Sequence, residues 1–94
     1  MTIAEFKASL KDTSPPKGLS VYLQSLWFDG KEDWHNAHSL VDSLSGEEAA
    51  HVHAYLHRKE GDLSNADYWY RRARRARPGV DLDTEWEELV SRFL

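Results

Sequence analysis

Apolar positions recur along the chain at intervals of three and four residues, and no stretch sustains the apolar–polar alternation of a half-buried strand. The pattern predicts an all-α fold of about six short helices. Ile3, Phe6 and Leu10 mark one face of a first helix over 2–12. Thr2 and Glu5 open it with a capping box, a hydroxyl and a carboxylate satisfying backbone donors that have no helical partner. The segment Thr13-Ser-Pro-Pro-Lys-Gly18 then breaks the chain, because Pro16 cannot continue a helix and biases Pro15 to extended geometry. Leu19, Tyr22, Leu23, Leu26 and Trp27 carry the amphipathic spacing of a second helix over 19–29, which Asp29-Gly30 stops.

The second half repeats this grammar. Trp34, Ala37, His38, Val41 and Leu44 line one side of residues 31–44. Ser45-Gly-Glu-Glu48 reads as a second capping box, opening a helix that Gly61 closes. Asp62 is the expected N-cap of the next helix, whose apolar face holds Leu63, Ala66, Trp69, Tyr70, Ala73 and Ala76 until Pro78-Gly79. Thr84-Glu-Trp-Glu87 reads as a third box, opening a C-terminal capping helix over 84–94 with Trp86, Leu89, Val90, Phe93 and Leu94 on one side. The short connections imply antiparallel neighbours.

Gly61, Ala66, Tyr70, Ala73 and Pro78 have the order and spacing of the second half of a tetratricopeptide repeat, and this part of the chain resembles one. An earlier, degenerate unit lies around Gly30, Trp34, Ala37 and Val41, with Gly30 only 31 residues before Gly61. The resemblance implies one domain, 1–94, with residues 31–77 at the centre of a right-handed stack of helix pairs. The chain departs from the repeat at His53 and His57, where the repeat carries a leucine-like residue and an aromatic. The string His53-Ala-Tyr-Leu-His-Arg-Lys-Glu-Gly-Asp62, with Asn65-Ala66 and Tyr68-Trp-Tyr-Arg-Arg-Ala73, also looks like a family of small bacterial proteins with no assigned activity. That likeness spans roughly residues 34–77. It implies a bacterial source and a shape, and no chemistry.

Composition narrows the function classes. A chain of 94 residues makes one domain with a thin core, to which four Trp, four Tyr and three Phe contribute heavily. The absence of cysteine removes disulfides, thiolate ligands and cysteine nucleophiles, and fits a cytoplasmic setting. The N-terminus lacks the long apolar run of a signal peptide or a membrane span. A formal net charge of −4 argues against nucleic acid or anionic lipid as a partner of the whole molecule. The basic run Arg71, Arg72, Arg74, Arg75 and Arg77 is followed by Asp81, Asp83, Glu85, Glu87 and Glu88. The two runs are expected to offset each other; an anion- or RNA-binding surface is the competing reading.

The candidate chemistry lies in the histidines. If Ser45-Gly46 is the hinge of an antiparallel helix pair, His38 faces His53 and Trp34 faces His57. With 100° per residue, Glu60 joins them, His35 sits at the rim, and His51 and Arg58 point away. The cluster has three readings: hydrogen-bonded structural imidazoles, the lining of a ligand pocket, or a zinc site of His38, His53, His57 and Glu60. No zinc-protease, di-iron, nucleophile-elbow or phosphate-loop pattern is present, so no reaction is assigned and no cofactor beyond zinc is suggested.

The leading expectation is therefore a small interaction module whose groove takes a protein or peptide. His38, His53, His57, Glu60, Asn65, Trp69 and Tyr70 are its expected contacts, and Tyr55 and Arg58 are secondary ones on the opposite side. The alternative is a metal- or small-molecule-binding protein built on the His/Glu cluster. A homodimer through the apolar C-terminal helix is a further expectation.

Overall fold

The computed structural model describes all 94 residues, and its regular structure is entirely helical, with no strand. The helices are α1 (Ile3–Ser9), α2 (Val21–Gly30), α3 (Trp34–Val41), α4 (Glu47–Glu60), α5 (Leu63–Arg72) and α6 (Leu82–Phe93). The closest packing is within the pairs α2/α3 and α4/α5, each joined by a short connection, and α3 also packs on α4. α6 crosses back to lie on both α2 and α4, with α1 against it. No helix is long and apolar enough to cross a membrane.

Local side-chain chemistry explains most helix starts. Thr2 and Glu5 form the expected capping box. Ser20, Asp33 and Asp62 each accept a backbone N–H two or three positions into the following helix. Two expected boxes are not formed. Gly46, not Ser45, occupies the N-cap of α4 and offers no side chain. Asp81 caps α6 and takes the Thr84 N–H at 2.7 Å, so the helix starts before Thr84 and that residue lies inside its first turn.

The helix ends share a device. α2, α4 and α5 all close with an N–H reaching five residues back: Asp33 to Phe28, Asp62 to His57 and Arg75 to Tyr70, at 2.9, 3.0 and 2.9 Å. The residue before each donor sits in the left-handed region: Glu32 at φ 60°, Gly61 at 89° and Arg74 at 59°. Only Gly61 announces this in the sequence. Arg74 therefore stops α5 well before Pro78-Gly79, where composition placed the end. Gly30 has a different role from the turn expected of it. It is the last residue of α2, and a Cβ there would meet Leu10 at 2.9 Å and Trp86 at 3.1 Å.

The main core forms where α2, α4 and α6 meet, with Phe6 of α1 inserted beside Trp86. Trp27 and Trp86 bury their rings and Trp34 is half-buried, while their indole N–H groups reach Ser9 Oγ (Trp27), Leu26 O (Trp86) and Leu56 O (Trp34). A smaller cluster of Ala54, Ala66 and Tyr70 lets α4 and α5 approach closely. The apolar side of α6 is used inside the chain: Trp86, Leu89 and Val90 are buried, and Phe93 packs on Tyr22 with ring centroids 5.0 Å apart. Most of the stripe proposed for a dimer contact is thus used within the chain, while Leu94 at its end is 42% exposed.

Two charged groups are buried in this interior. Glu85 is 2% exposed and accepts from Arg58 and Tyr70. Asp29 is 1% exposed, accepts from Tyr55 and pairs with Lys59 at 2.9 Å. The two charge runs do not neutralise each other by direct pairing. Arg74 pairs with Glu47 and Arg77 with Asp67, while Glu85 and Glu87 pair with Arg58 and Lys7.

Candidate functional site: a histidine cluster between three helices

α3, α4 and α5 each contribute one side of the cluster. On α3, Trp34 and His38 are four residues apart, so their rings stack, 4.7 Å between centroids and 10° between planes. On α4, His53 and His57 stack by the same spacing at 4.8 Å. On α5, Trp69 lies flat on His53 at 4.0 Å and 17°. The helix pair brings the imidazoles together: His38 lies 4.8 Å from His53 and 5.2 Å from His57, centroid to centroid. Three imidazoles thus form a nearly equilateral group held between two indoles.

Their nitrogens converge as well. His38 Nε2 and His53 Nε2 are 3.0 Å apart, so one must donate and the other accept. One ligand atom from each of His38, His53 and His57 falls within 4.8 Å of the others. His57 Nδ1 bonds Glu60 Oε1 at 2.7 Å, and its Nε2 lies 3.4 Å from Asn65 Nδ2. Asp42, one turn beyond His38, brings a carboxylate oxygen to 3.7 Å from His38 Nε2.

Two of the three imidazoles are held towards the neutral form. Burial lowers the pKa of His53 to about 4, and the neighbouring His57 and His38 reinforce this. His38 is also lowered, chiefly by burial, with Asp42 acting in the opposite direction. Neutral imidazole is the form that accepts a metal.

Of the expected site residues, His38, His53, His57, Glu60, Asn65 and Trp69 do assemble. Tyr70 does not. It follows Trp69 by one residue, hence by 100° around α5, and its hydroxyl donates to Glu85 Oε2 at 2.6 Å on the far side of α4. Burial and the Glu85 carboxylate raise its pKa. Tyr55 and Arg58 lie with Asp29 and Glu85, on the side facing α2 and α6. His35 is exposed at the rim. Sequence reasoning placed Trp34 opposite His57 but did not count it as part of the site; it stacks on His38. Asp42 was missed, although its i, i+4 relation to His38 is a legible signal.

A cleft of about 340 Å³ adjoins the cluster, lined by Leu44, Ala50, Trp69, Arg72 and Arg74 among others. The Arg72 guanidinium lies over both Tyr68 and Trp69, at 5.7 and 5.2 Å from the ring centroids.

No family model, curated protein or solved structure matches this chain in the comparisons made.

Proposed function

We propose that this protein binds a divalent transition-metal ion of the zinc class through His38, His53 and His57. The observation that carries the reading is the convergence of three imidazoles, one from α3 and two from α4, with ligand nitrogens within 4.8 Å of one another. Two nitrogens bonded to one tetrahedral zinc at 2.0–2.1 Å stand about 3.3 Å apart, close to the 3.0 Å between His38 and His53. The remaining nitrogen closes on the ion by side-chain torsion. Glu60 supports the assignment as an outer carboxylate on a histidine, which raises ligand basicity and fixes the ring. A fourth ligand is available in Asp42, in Glu60 by rotation, or in water. The ion ties α3 to α4 across the loop at 42–46, so binding and stability are linked.

The test is native mass spectrometry with calorimetric titration of untagged, chelator-stripped protein. One equivalent of zinc is expected, absent in His53→Ala. At zinc a hundredfold above its Kd, the ion adds about 2.7 kcal/mol, a rise in Tm of roughly 10–20 °C for a chain of this size. Protein that takes up no stoichiometric zinc at micromolar concentrations contradicts the reading.

A second reading, a surface for a protein or peptide partner, draws support from α5. Leu63 and Tyr68 are 45% and 42% exposed there, beside Trp69 and Arg72, residue types that anchor interfaces. Its test is a Tyr68→Ala, Arg72→Ala variant. That variant should keep zinc binding and lose any partner that the unaltered protein holds.

A further inference from the structure

A second group of unspent polar chemistry lies on the other side of α4, where His51 faces away from the metal cluster. His51, the segment after α5 and the solvent side of α6 enclose a cleft of about 410 Å³. Its walls carry Arg75 on one side and Arg92 on the other, with Leu89 and Pro78 between them. In an acidic chain, guanidinium groups usually find carboxylates. Arg58, Arg74 and Arg77 do so here; Arg71, Arg72, Arg75 and Arg92 have no carboxylate within 4.0 Å, and of these Arg75 and Arg92 line the same cleft as His51.

The acidic residues of the cleft do not satisfy them. Glu85 is hydrogen-bonded to Arg58 and Tyr70, with its Oε2 3.9 Å from His51 Nε2. Glu88 is one turn before Arg92 but does not pair with it, and it leaves the unpaired side chains of the cleft with one positive charge in excess. At the cleft, His51 presents a polar ring whose Nδ1 is buried without a hydrogen-bond partner. A buried polar atom left unpaired costs stability, so it calls for a physical explanation.

We propose that this cleft binds a small oxyanion, a phosphate or carboxylate group clamped between the Arg75 and Arg92 guanidinium groups with His51 as a hydrogen-bonding wall. Guanidinium matches both anions in charge and in fork geometry, and neutral imidazole can serve either as donor or as acceptor. The cleft has room for a small metabolite rather than a polymer. It shares no residue with the His38/His53/His57 group, so the two proposals stand or fall separately.

The experiment follows the His51 ring and arginine Nε resonances by NMR, on protein stripped of metal by a chelating resin that is then removed, so that the other histidines carry no metal and no chelator competes for the cleft. Inorganic phosphate and sodium acetate are titrated separately at constant ionic strength. A saturable shift of His51, Arg75 and Arg92 signals is expected, with affinity at least tenfold weaker in R75Q/R92Q. Both arginines are exposed, so the double variant keeps the fold; unchanged signals from His38 and His53 verify this. Saturation by phosphate alone, by acetate alone or by both supports the proposal and identifies the group recognised. Non-saturating shifts with both anions, or equal affinity in the variant, overturn it.

Discussion

α4 buries polar side chains on two sides, and the two sides are built on different principles. Facing α2 and α6, Glu85 receives Arg58 and Tyr70, while Asp29 receives Tyr55 and Lys59. Each buried carboxylate has a cation and a hydroxyl as dedicated partners. Facing α3 and α5, the histidines receive mainly one another. Two imidazoles sharing one proton leave their remaining capacity to change partners, while a carboxylate locked by a cation and a phenol does not. The contrast teaches that burial of polar groups is not itself a mark of function. What distinguishes the second side is that its groups are clustered and exchangeable.

The largest break in this comparison comes from the committed side. Glu85→Ala leaves Arg58 as an uncompensated charge and removes the acceptor of Tyr70, so a stability loss of about 3–5 kcal/mol is expected by urea denaturation. His53→Leu, on the exchangeable side, replaces a ring that contacts mostly rings. It should change stability by less than about 1.5 kcal/mol. A loss from His53→Leu as large as that from Glu85→Ala would erase the distinction.

Acid sharpens the comparison. His51 and His53 titrate near pH 4 in the folded chain and near 6.5 when unfolded. Between those values the unfolded state binds more protons, so stability must fall as pH falls from 6.5 towards 4. The full shift corresponds to roughly 3 kcal/mol for each group, less where water relaxes around it. His53→Leu should flatten that slope by one histidine, as read from urea midpoints at pH 6.5, 5.5 and 4.5.

The smallest effect concerns the backbone. Arg74 holds a left-handed conformation that costs a side chain about 1 kcal/mol. Arg74→Gly should raise stability by about 0.5–1 kcal/mol, since the exposed pair with Glu47 contributes little. A decrease would mean that the Glu47 contact matters more than the strain.

The residues that the sequence made legible were those governed by local rules. Helical periodicity and one hinge at Ser45-Gly46 suffice to bring His38 against His53, because an antiparallel pair with a short loop leaves little freedom of register. Asp62 and Thr2 cap as their side chains dictate. Three features were not legible, each for a physical reason. Asp29 read only as part of a helix stop and Glu85 only as part of an acidic run, since their partners Lys59 and Arg58 lie 30 and 27 residues away and only the packing of α4 unites them. Tyr70 shares a broad apolar stripe with Trp69, and the stripe is split between two neighbours. The early end of α5 depends on an arginine in a conformation that composition reserves for glycine.

The central claim is that the exchangeable side of α4 is a metal site, and calorimetric titration of zinc into chelator-stripped protein tests it most directly, with His53→Leu as the folded control. One equivalent bound at micromolar or tighter Kd by the unaltered chain, and none by His53→Leu of near-equal stability, is the predicted result. Equal heats from both proteins, or no saturable binding to either, would contradict the account and leave the three histidines as packing alone.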